Sequence, residues 1–321
     1  MKIMITGGAG FIGSNFARYM SKKYPQYDFL IYDKLTYAGN MDNLSDVIKL
    51  KNVRFVKGDV GDLNFMIYLM KDVDVVFHLA AESHVDNSLG NSLEFTKSNT
   101  YGTHVMLEAA KINDIKKFVH VSTDEVYGDI EEGSFVETDK LCPNNPYSAS
   151  KAAAEMIVRA YQKTYNMPII MTRGNNTYGP YQYPEKIISR FTCNLILGKK
   201  VPLHGKGGNI RTYIYVEDVC RALDTIFNKG EIGEIYNIGT DYEITNLELT
   251  RRLLKKFGKD DSMIEFVTDR PFNDLRYSID ISKLEKLGWK PKVSFDEGID
   301  LTVEWYKQNR KWWQSVLDRS I

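Results

Sequence analysis

Lys2-Ile-Met-Ile-Thr6 runs straight into Gly7-Gly8-Ala9-Gly10-Phe11-Ile12-Gly13, and this join decides the fold. The apolar run reads as a buried strand, and residues 11–23 carry a helical pattern. Glycines at 7, 10 and 13 between them form Gly-x-x-Gly-x-x-Gly, a variant of the dinucleotide fingerprint. They allow a tight turn, close approach of backbone to a pyrophosphate, and close packing of helix on strand. The start of the helix adds unpaired N–H groups and the positive end of a dipole. Asp33 ends the second strand, about twenty residues on, where a carboxylate would bond the adenosine ribose hydroxyls and repel a 2′-phosphate. NAD is therefore favoured over NADP, with Lys34 weakening the preference. Asp59, after a third strand, would accept from the adenine amine or else cap a turn or helix.

Outward from this turn, strand patterns recur at 2–6, 28–33, 53–57, 74–79, 117–122 and 168–173. Helical patterns lie between several of them, notably 11–23, 100–112 and 147–165. The alternation predicts an α/β fold, a Rossmann-type doubly wound parallel sheet with helices on both faces. The division expected is an NAD-binding domain over 1–173 and a smaller mixed α/β substrate lobe over 174–321, with 213–240 returning to the first. Residues 174–212, rich in Gly, Asn, Tyr and Pro, read as loops that line a site. Tyr213–Val216 and Ile235–Ile238 read as strands, 217–228 as a helix, and Trp305 to Trp313 as a Trp-rich terminal helix.

Composition narrows the function. Of 321 residues, 43% are hydrophobic and 26% charged, ordinary for a globular protein. Lys+Arg and Asp+Glu balance at 42 each, so no global field argues for nucleic acid or a membrane surface. No apolar run reaches the roughly 18 residues of a membrane span. The N-terminus lacks a signal peptide's layout. Cys142, Cys193 and Cys220 form neither a disulfide framework nor a zinc pattern, and the five histidines show no ligand spacing. A cytoplasmic protein without a metal is expected.

The chemistry-bearing stretch is Ser122-Thr123-Asp124-Glu125 at the end of the buried strand Lys117-Phe-Val-His-Val-Ser122. Open α/β sheets bind ligands at the carboxyl ends of their strands. Tyr147-Ser-Ala-Ser-Lys151 follows and places a phenol and an ammonium one helical turn apart on one face. A nearby cation stabilises phenolate, so Tyr147 would act as a base below its free pKa of about 10.

Taken together, these residues resemble the extended short-chain dehydrogenase/reductase family over nearly the whole chain. Within it they resemble the nucleotide-sugar 4,6-dehydratases, with the dTDP-glucose 4,6-dehydratases as the closest type. Ser-Thr-Asp-Glu-Val-Tyr-Gly at 122–128 is the most diagnostic stretch. Ala80-Ala-Glu-Ser-His-Val-Asp86, Tyr147-Ser-Ala-Ser-Lys-Ala152, Tyr178-Gly-Pro-Tyr-Gln-Tyr-Pro-Glu-Lys186 and Tyr215-Val-Glu-Asp218 add to it. The resemblance implies a catalytic set of Thr123, Asp124, Glu125, Tyr147 and Lys151. Tyr147 would take the 4-hydroxyl proton of a hexose while hydride leaves C4, with Thr123 bonding near the same oxygen. Lys151 would hold the nicotinamide ribose and lower the Tyr147 pKa. Glu125 would remove the C5 proton, and Asp124 would protonate the departing 6-hydroxyl. That division needs two crowded carboxyls with pKa values pushed apart.

The cofactor set is Gly7, Gly10, Phe11, Ile12, Gly13, Asp33, Asp59, Ala80, Ala81, Ser122, Tyr147 and Lys151. The substrate set is Ser83, His84, Thr123, Asn176, Glu185, Lys186, Arg211, Asn246 and Arg270. Arg211 and Arg270 resemble diphosphate ligands, suited by the planar guanidinium fork, or are salt-bridge residues. His84 borders the nicotinamide and sugar or is structural. The partner expected is a nucleotide-diphosphate hexose. The family pairs the equivalents of helices 100–112 and 147–165 across a two-fold axis, implying a homodimer.

Departures from the family pattern cluster in the nucleotide-sugar half. Gly174-Asn175-Asn176-Thr177 replaces Cys-Ser-Asn-Asn, Arg211-Thr212-Tyr213 replaces Arg-Asp-Trp, and Phe272-Asn273-Asp274 replaces Gly-His-Asp. Asn87 stands where an Arg often follows Val-Asp. A UDP-glucose or UDP-N-acetylglucosamine substrate, and inversion at C5, therefore stay open beside dTDP-glucose. The rivals are a nucleotide-sugar 4-epimerase or decarboxylase, which has no evident use for adjacent Asp124 and Glu125, and a non-enzymatic NAD-binding protein.

Overall fold

The computed structural model describes residues 1–269 and 271–318. The apolar runs become β1 (Lys2–Thr6), β2 (Asp28–Asp33), β3 (Val53–Lys57), β4 (Val75–His78), β5 (Lys117–Thr123) and β6 (Ile169–Gly174). Three strands then lie outside this sheet, β7 (Asn176–Tyr178), β8 (Val201–His204) and β9 (Ile210–Tyr215), before β10 (Ile235–Ile238) rejoins it. The seven strands run in the order β10-β6-β5-β4-β1-β2-β3 and pair in parallel. The order reverses between β1 and β4, and there a crevice opens beyond the strand ends.

Helices cover both faces, so the central strands are buried along most of their length and mainly apolar. They are α1 (Phe11–Lys23), α2 (Leu63–Leu69), the short α3 (Val85–Gly90) and α4 (Ser92–Phe95), α5 (Gly102–Ile112), α6 (Pro146–Tyr165), α7 (Ile187–Ile196) and α8 (Val216–Lys229). On one face, Phe16, Ala17 and Met20 of α1 join Val219, Leu223 and Ile226 of α8 over Ile3, Ile5 and Phe77. Phe16 meets Phe77 edge-on at 4.6 Å, and burying each ring contributes about 1.5–3 kcal/mol. On the other face, α2, α5 and α6 supply Met66, Met106, Ala109 and Val158 over Met4, Val76 and Phe118.

The remaining chain builds a second core. β11 (Glu243–Thr245) pairs with β9, which pairs with β7, and β12 (Ile264–Val267) pairs with β8. Around them lie α9 (Asn246–Lys256), α10 (Ser282–Glu285), α11 (Phe295–Gln308) and α12 (Arg310–Asp318). Tyr178, Phe191, Leu203, Tyr213, Leu249 and Ile299 form the centre of this core.

Three sequence expectations change. Residues 174–212 are not all loop: Ile188, Phe191 and Leu195, with Ile187 partly buried beside them, give α7 an inward stripe that the polar composition masks. The return of 213–240 to the large sheet is made by α8 and β10, because Tyr213–Tyr215 pair with β7 instead. The Trp-rich terminal segment is two helices. Asn309 closes α11, and its Nδ2 donates to the Trp305 carbonyl at 2.9 Å, which competes with continuation of the helix.

Candidate active site

The cofactor set lines one cavity at the β1/β4 crevice, every member included. Gly7 has φ +67°, and a Cβ there would lie 2.7 Å from the Ala80 nitrogen. A Cβ at Gly13 would lie 2.1 Å from the Gly7 carbonyl oxygen. Side chains at either position would break the turn. Gly10 precedes α1 with no side-chain cap and no acid in the first turn, so the helix start is suited to an anion. Asp33 accepts the Ala9 N–H at 3.0 Å and the Leu35 N–H at 2.7 Å, and burial pushes its carboxyl above the usual range. Lys34 turns its ammonium to Asp59 at 2.8 Å. Asp59 also accepts the Gly61 N–H at 2.9 Å. The Ser122 hydroxyl lines the cavity, buried and without a protein partner. A glycine cradle, an uncapped helix start, a ribose-side carboxylate and an unused hydroxyl fit a dinucleotide.

β5 ends on Thr123, whose hydroxyl accepts the Glu125 N–H at 3.3 Å and so caps the 3₁₀ turn Asp124–Tyr127. The same hydroxyl lies 3.2 Å from Asp124 Oδ1, and the Asn175 amide donates to Asp124 Oδ2 at 2.7 Å. Burial, reinforced by Glu125, pushes the Asp124 carboxyl up to about 7. Glu125 is also raised, mainly by burial, against the pull of Lys186 and an Asn145 hydrogen bond. Asp124 is 2% exposed, and among the described residues it lines neither cavity, whereas Thr123 and Glu125 line the second.

α6 starts on an Asn145 capping box with Pro146 in its first turn. This start brings Tyr147 under Thr123. Burial raises the Tyr147 phenol far above its ordinary value, the Glu125 and Asp124 charges add to this, and the Thr123 hydroxyl opposes it. Lys151 lies one helical turn further along α6. Its Nζ donates to the Val121 carbonyl at 2.8 Å, and burial lowers it to about 8. In this structure the ammonium is turned to the strand end.

A second cavity adjoins the first, and both are lined by Phe11, Ser122, Tyr147, Glu185 and Lys186. Ser83, His84, Thr123, Asn176, Glu185, Lys186, Arg211 and Asn246 all line it, while Arg270 lies outside the described residues. The Asn176 Nδ2 is buried with no partner. Lys186 donates to the Ser83 carbonyl at 2.9 Å. His84 lies 3.8 Å from Glu185 and 3.6 Å from Asp86. Arg211 stacks on Tyr277 at 4.5 Å and donates to the Asn273 side chain at 3.1 Å and the Asp274 carbonyl at 2.9 Å. Asn246 sits in the first turn of α9.

Sequence reasoning passed over Asn145, Tyr277 and Tyr37, which bonds Glu185 at 3.3 Å. Asn145 had a signal, an Asn directly before a Pro that opens a helix. Tyr277 had none.

A family model described as GDP-mannose 4,6 dehydratase matches residues 4–302. The chain belongs to this family. Among its dehydratase relatives, RHM2 of Arabidopsis thaliana is a trifunctional UDP-glucose 4,6-dehydratase/UDP-4-keto-6-deoxy-D-glucose 3,5-epimerase/UDP-4-keto-L-rhamnose-reductase. It is 49% identical over 98% of this chain, and the match spans about half of the plant protein's length, 48%. The dTDP-glucose 4,6-dehydratase of Streptomyces niveus is 44% identical over 98% of this chain and 96% of its own. The crystal structure of the Streptomyces venezuelae dTDP-glucose 4,6-dehydratase DesIV, solved with NAD bound, superposes with a TM-score of 0.96 at 45% identity, covering 98% of this chain and 100% of that one.

Proposed function

We propose that this protein is an NAD-dependent nucleotide-sugar 4,6-dehydratase that converts a nucleotide-diphosphate glucose to its 4-keto-6-deoxy form. One observation carries the reading. Two adjacent carboxyls at the end of β5, both raised, stand beside a buried phenol where a dinucleotide cavity meets a second, larger one. An epimerase has no use for that pair.

NAD, when bound, would take hydride from C4 and return it to C6. Tyr147, held beside Thr123, takes the 4-hydroxyl proton. Burial, and after it the two carboxyls, favour the protonated phenol, so Tyr147 must first give up its own proton to serve as base, and the Thr123 hydroxyl, which favours the phenolate, is the group at hand to assist that loss. Glu125, which faces the second cavity, removes the C5 proton made acidic by the 4-ketone. Asp124, about half protonated near neutral pH, gives its proton to the departing O6. Asn176, with its unpaired amide, and Arg211 and Lys186 supply donors for the diphosphate.

The cofactor-binding part comprises residues 1–173 with α8 and β10, and the rest forms the nucleotide-sugar lobe. Tyr101, Met156 and Tyr165, about half exposed along the α5–α6 side, support a homodimer through those helices. The setting is cytoplasmic. No helix among the described residues is long and apolar enough to cross a membrane.

The name of the plant relative favours a uridine nucleotide as a second reading of the substrate. Mass and NMR assays with dTDP-glucose, UDP-glucose and UDP-N-acetylglucosamine, run separately, test both. Loss of one water with no net NADH names the substrate, and NMR reads C5. A product that keeps its 6-hydroxyl shifts the reading to an epimerase.

A further inference from the structure

We propose that Asn175 is a positioning residue for the acid of the dehydration: its amide holds Asp124 Oδ2 as a hydrogen-bond acceptor and so places the acid's proton on Oδ1, beside Thr123. The inference rests on the dehydratase reading above.

The orientation of this amide is settled by backbone. The Thr240 N–H donates to Asn175 Oδ1 at 3.1 Å, so Nδ2 must be the atom that faces Asp124 Oδ2 at 2.7 Å. A flipped amide would set N–H against N–H on one side and oxygen against carboxylate on the other. Room for this arrangement comes from Gly239, where a Cβ would lie 2.0 Å from Asn175 Oδ1. The backbone of Asn175 is pinned as well, its N–H donating to the Ile238 carbonyl at 2.9 Å. Asn175 is thus fixed at its backbone by Ile238, the last residue of β10, and at its Oδ1 by Thr240 beyond it, which turns its Nδ2 to Asp124.

The chemical consequence follows from the two oxygens of a carboxylic acid. The carbonyl oxygen is the better acceptor, so a donor fixed on Oδ2 leaves the proton on Oδ1. Oδ1 accepts from the Thr123 hydroxyl at 3.2 Å, and that hydroxyl, unlike an amide N–H, can turn to accept instead, so the proton enters on Oδ1, on the side where Thr123 lines the substrate cavity. In the elimination, the Oδ1–H bond breaks as the proton passes to O6, the C6–O6 bond breaks, and water leaves with that electron pair. The negative charge left on Asp124 is then met by a donor already in place, and a hydrogen bond to a charged acceptor is about twice as strong as a neutral one. Asn175 therefore strengthens the acid at the moment it is used. The charged and titratable groups facing Asp124 are Glu125 on its own turn, which raises it, Arg211 of β9, which lowers it, and Tyr147 of α6.

The test uses the NAD-loaded enzyme with whichever of dTDP-glucose and UDP-glucose it dehydrates. Single-turnover nicotinamide absorbance separates NADH formation from NADH consumption. Asn175→Asp keeps the side-chain shape and the Thr240 bond, and Asn175→Leu removes both. In both variants NADH formation should keep its rate, while consumption slows on the order of ten- to hundredfold at pH 7. The alkaline limb of the consumption step should also move to higher pH. Equal slowing of both phases, or an unmoved limb, overturns the role of Asn175 while leaving the dehydratase reading intact. An unsubstituted enzyme that dehydrates neither sugar overturns the reading and this inference with it.

Discussion

Asn145 joins Glu125 to the helix that carries Tyr147: its Oδ1 accepts the Ser148 N–H at 2.9 Å, and its Nδ2 donates to Glu125 Oε2 at 3.3 Å. One amide thus caps α6 and orients the carboxyl on the neighbouring turn. Helix start and catalytic turn are mechanically a single unit.

Replacing Asn145 by Ala should therefore act twice. Loss of the cap should cost about 1 kcal/mol of stability, read as a lower denaturant midpoint. Loss of the bond to Glu125 should slow turnover several-fold beyond what that destabilisation explains. Asn145→Asp, which keeps the cap acceptor but repels Glu125, should restore stability and leave the rate low.

Glu125→Gln should stop the cycle after C4 oxidation. Loss of a positioned base is worth about 10²–10⁴-fold, so the variant should accumulate NADH on mixing with substrate. Stopped-flow absorbance would show a rise without decay. A variant that completes the cycle at the normal rate removes Glu125 from the mechanism.

The raised Asp124 carboxyl couples folding to pH. With a folded pKa of about 7 against the ordinary carboxyl value of 3.8, the folded state holds a proton that the unfolded chain has lost between those values. Stability should therefore fall as pH rises through that window. Asp124→Asn should flatten that part of the profile, measured by urea unfolding at a series of pH values.

Asp33 both faces the cofactor cavity and ties the glycine turn through Ala9 and Leu35. Asp33→Asn keeps the shape, loses the charge and one acceptor site, and should weaken NAD binding about tenfold. The preference over NADP should narrow at the same time. Calorimetric titration with each dinucleotide reads both effects.

Arg173 and Glu155 form a buried pair at 2.7 Å, with the guanidinium stacked on Tyr127 at 4.5 Å. Glu155→Gln should leave that charge without its partner and cost about 3–5 kcal/mol. Glu155→Gln with Arg173→Met should recover part of the loss, as read by chemical denaturation.

What the sequence determined by itself is what short-range periodicity encodes. Six apolar runs, the glycine spacing, the acidic ending of β5 and the Tyr147–Lys151 step each lie within one element, and each element reports its own burial. The sheet and its glycine turn were legible for that reason. The family resemblance extended that legibility to Asn176, Lys186 and Arg211. Tertiary structure decided what depends on contacts between distant segments. Lys34 could have served Asp33 or Asp59, and only the packing of β2 beside β3 sends it to Asp59. Lys151 is one turn from Tyr147 in sequence, yet the Val121 carbonyl takes its ammonium. Asn175 meets Asp124 across 51 residues, held there by a backbone N–H from Thr240, a further 65 along. No local period records such a bond, because its geometry exists only once β5, β6 and β10 lie side by side.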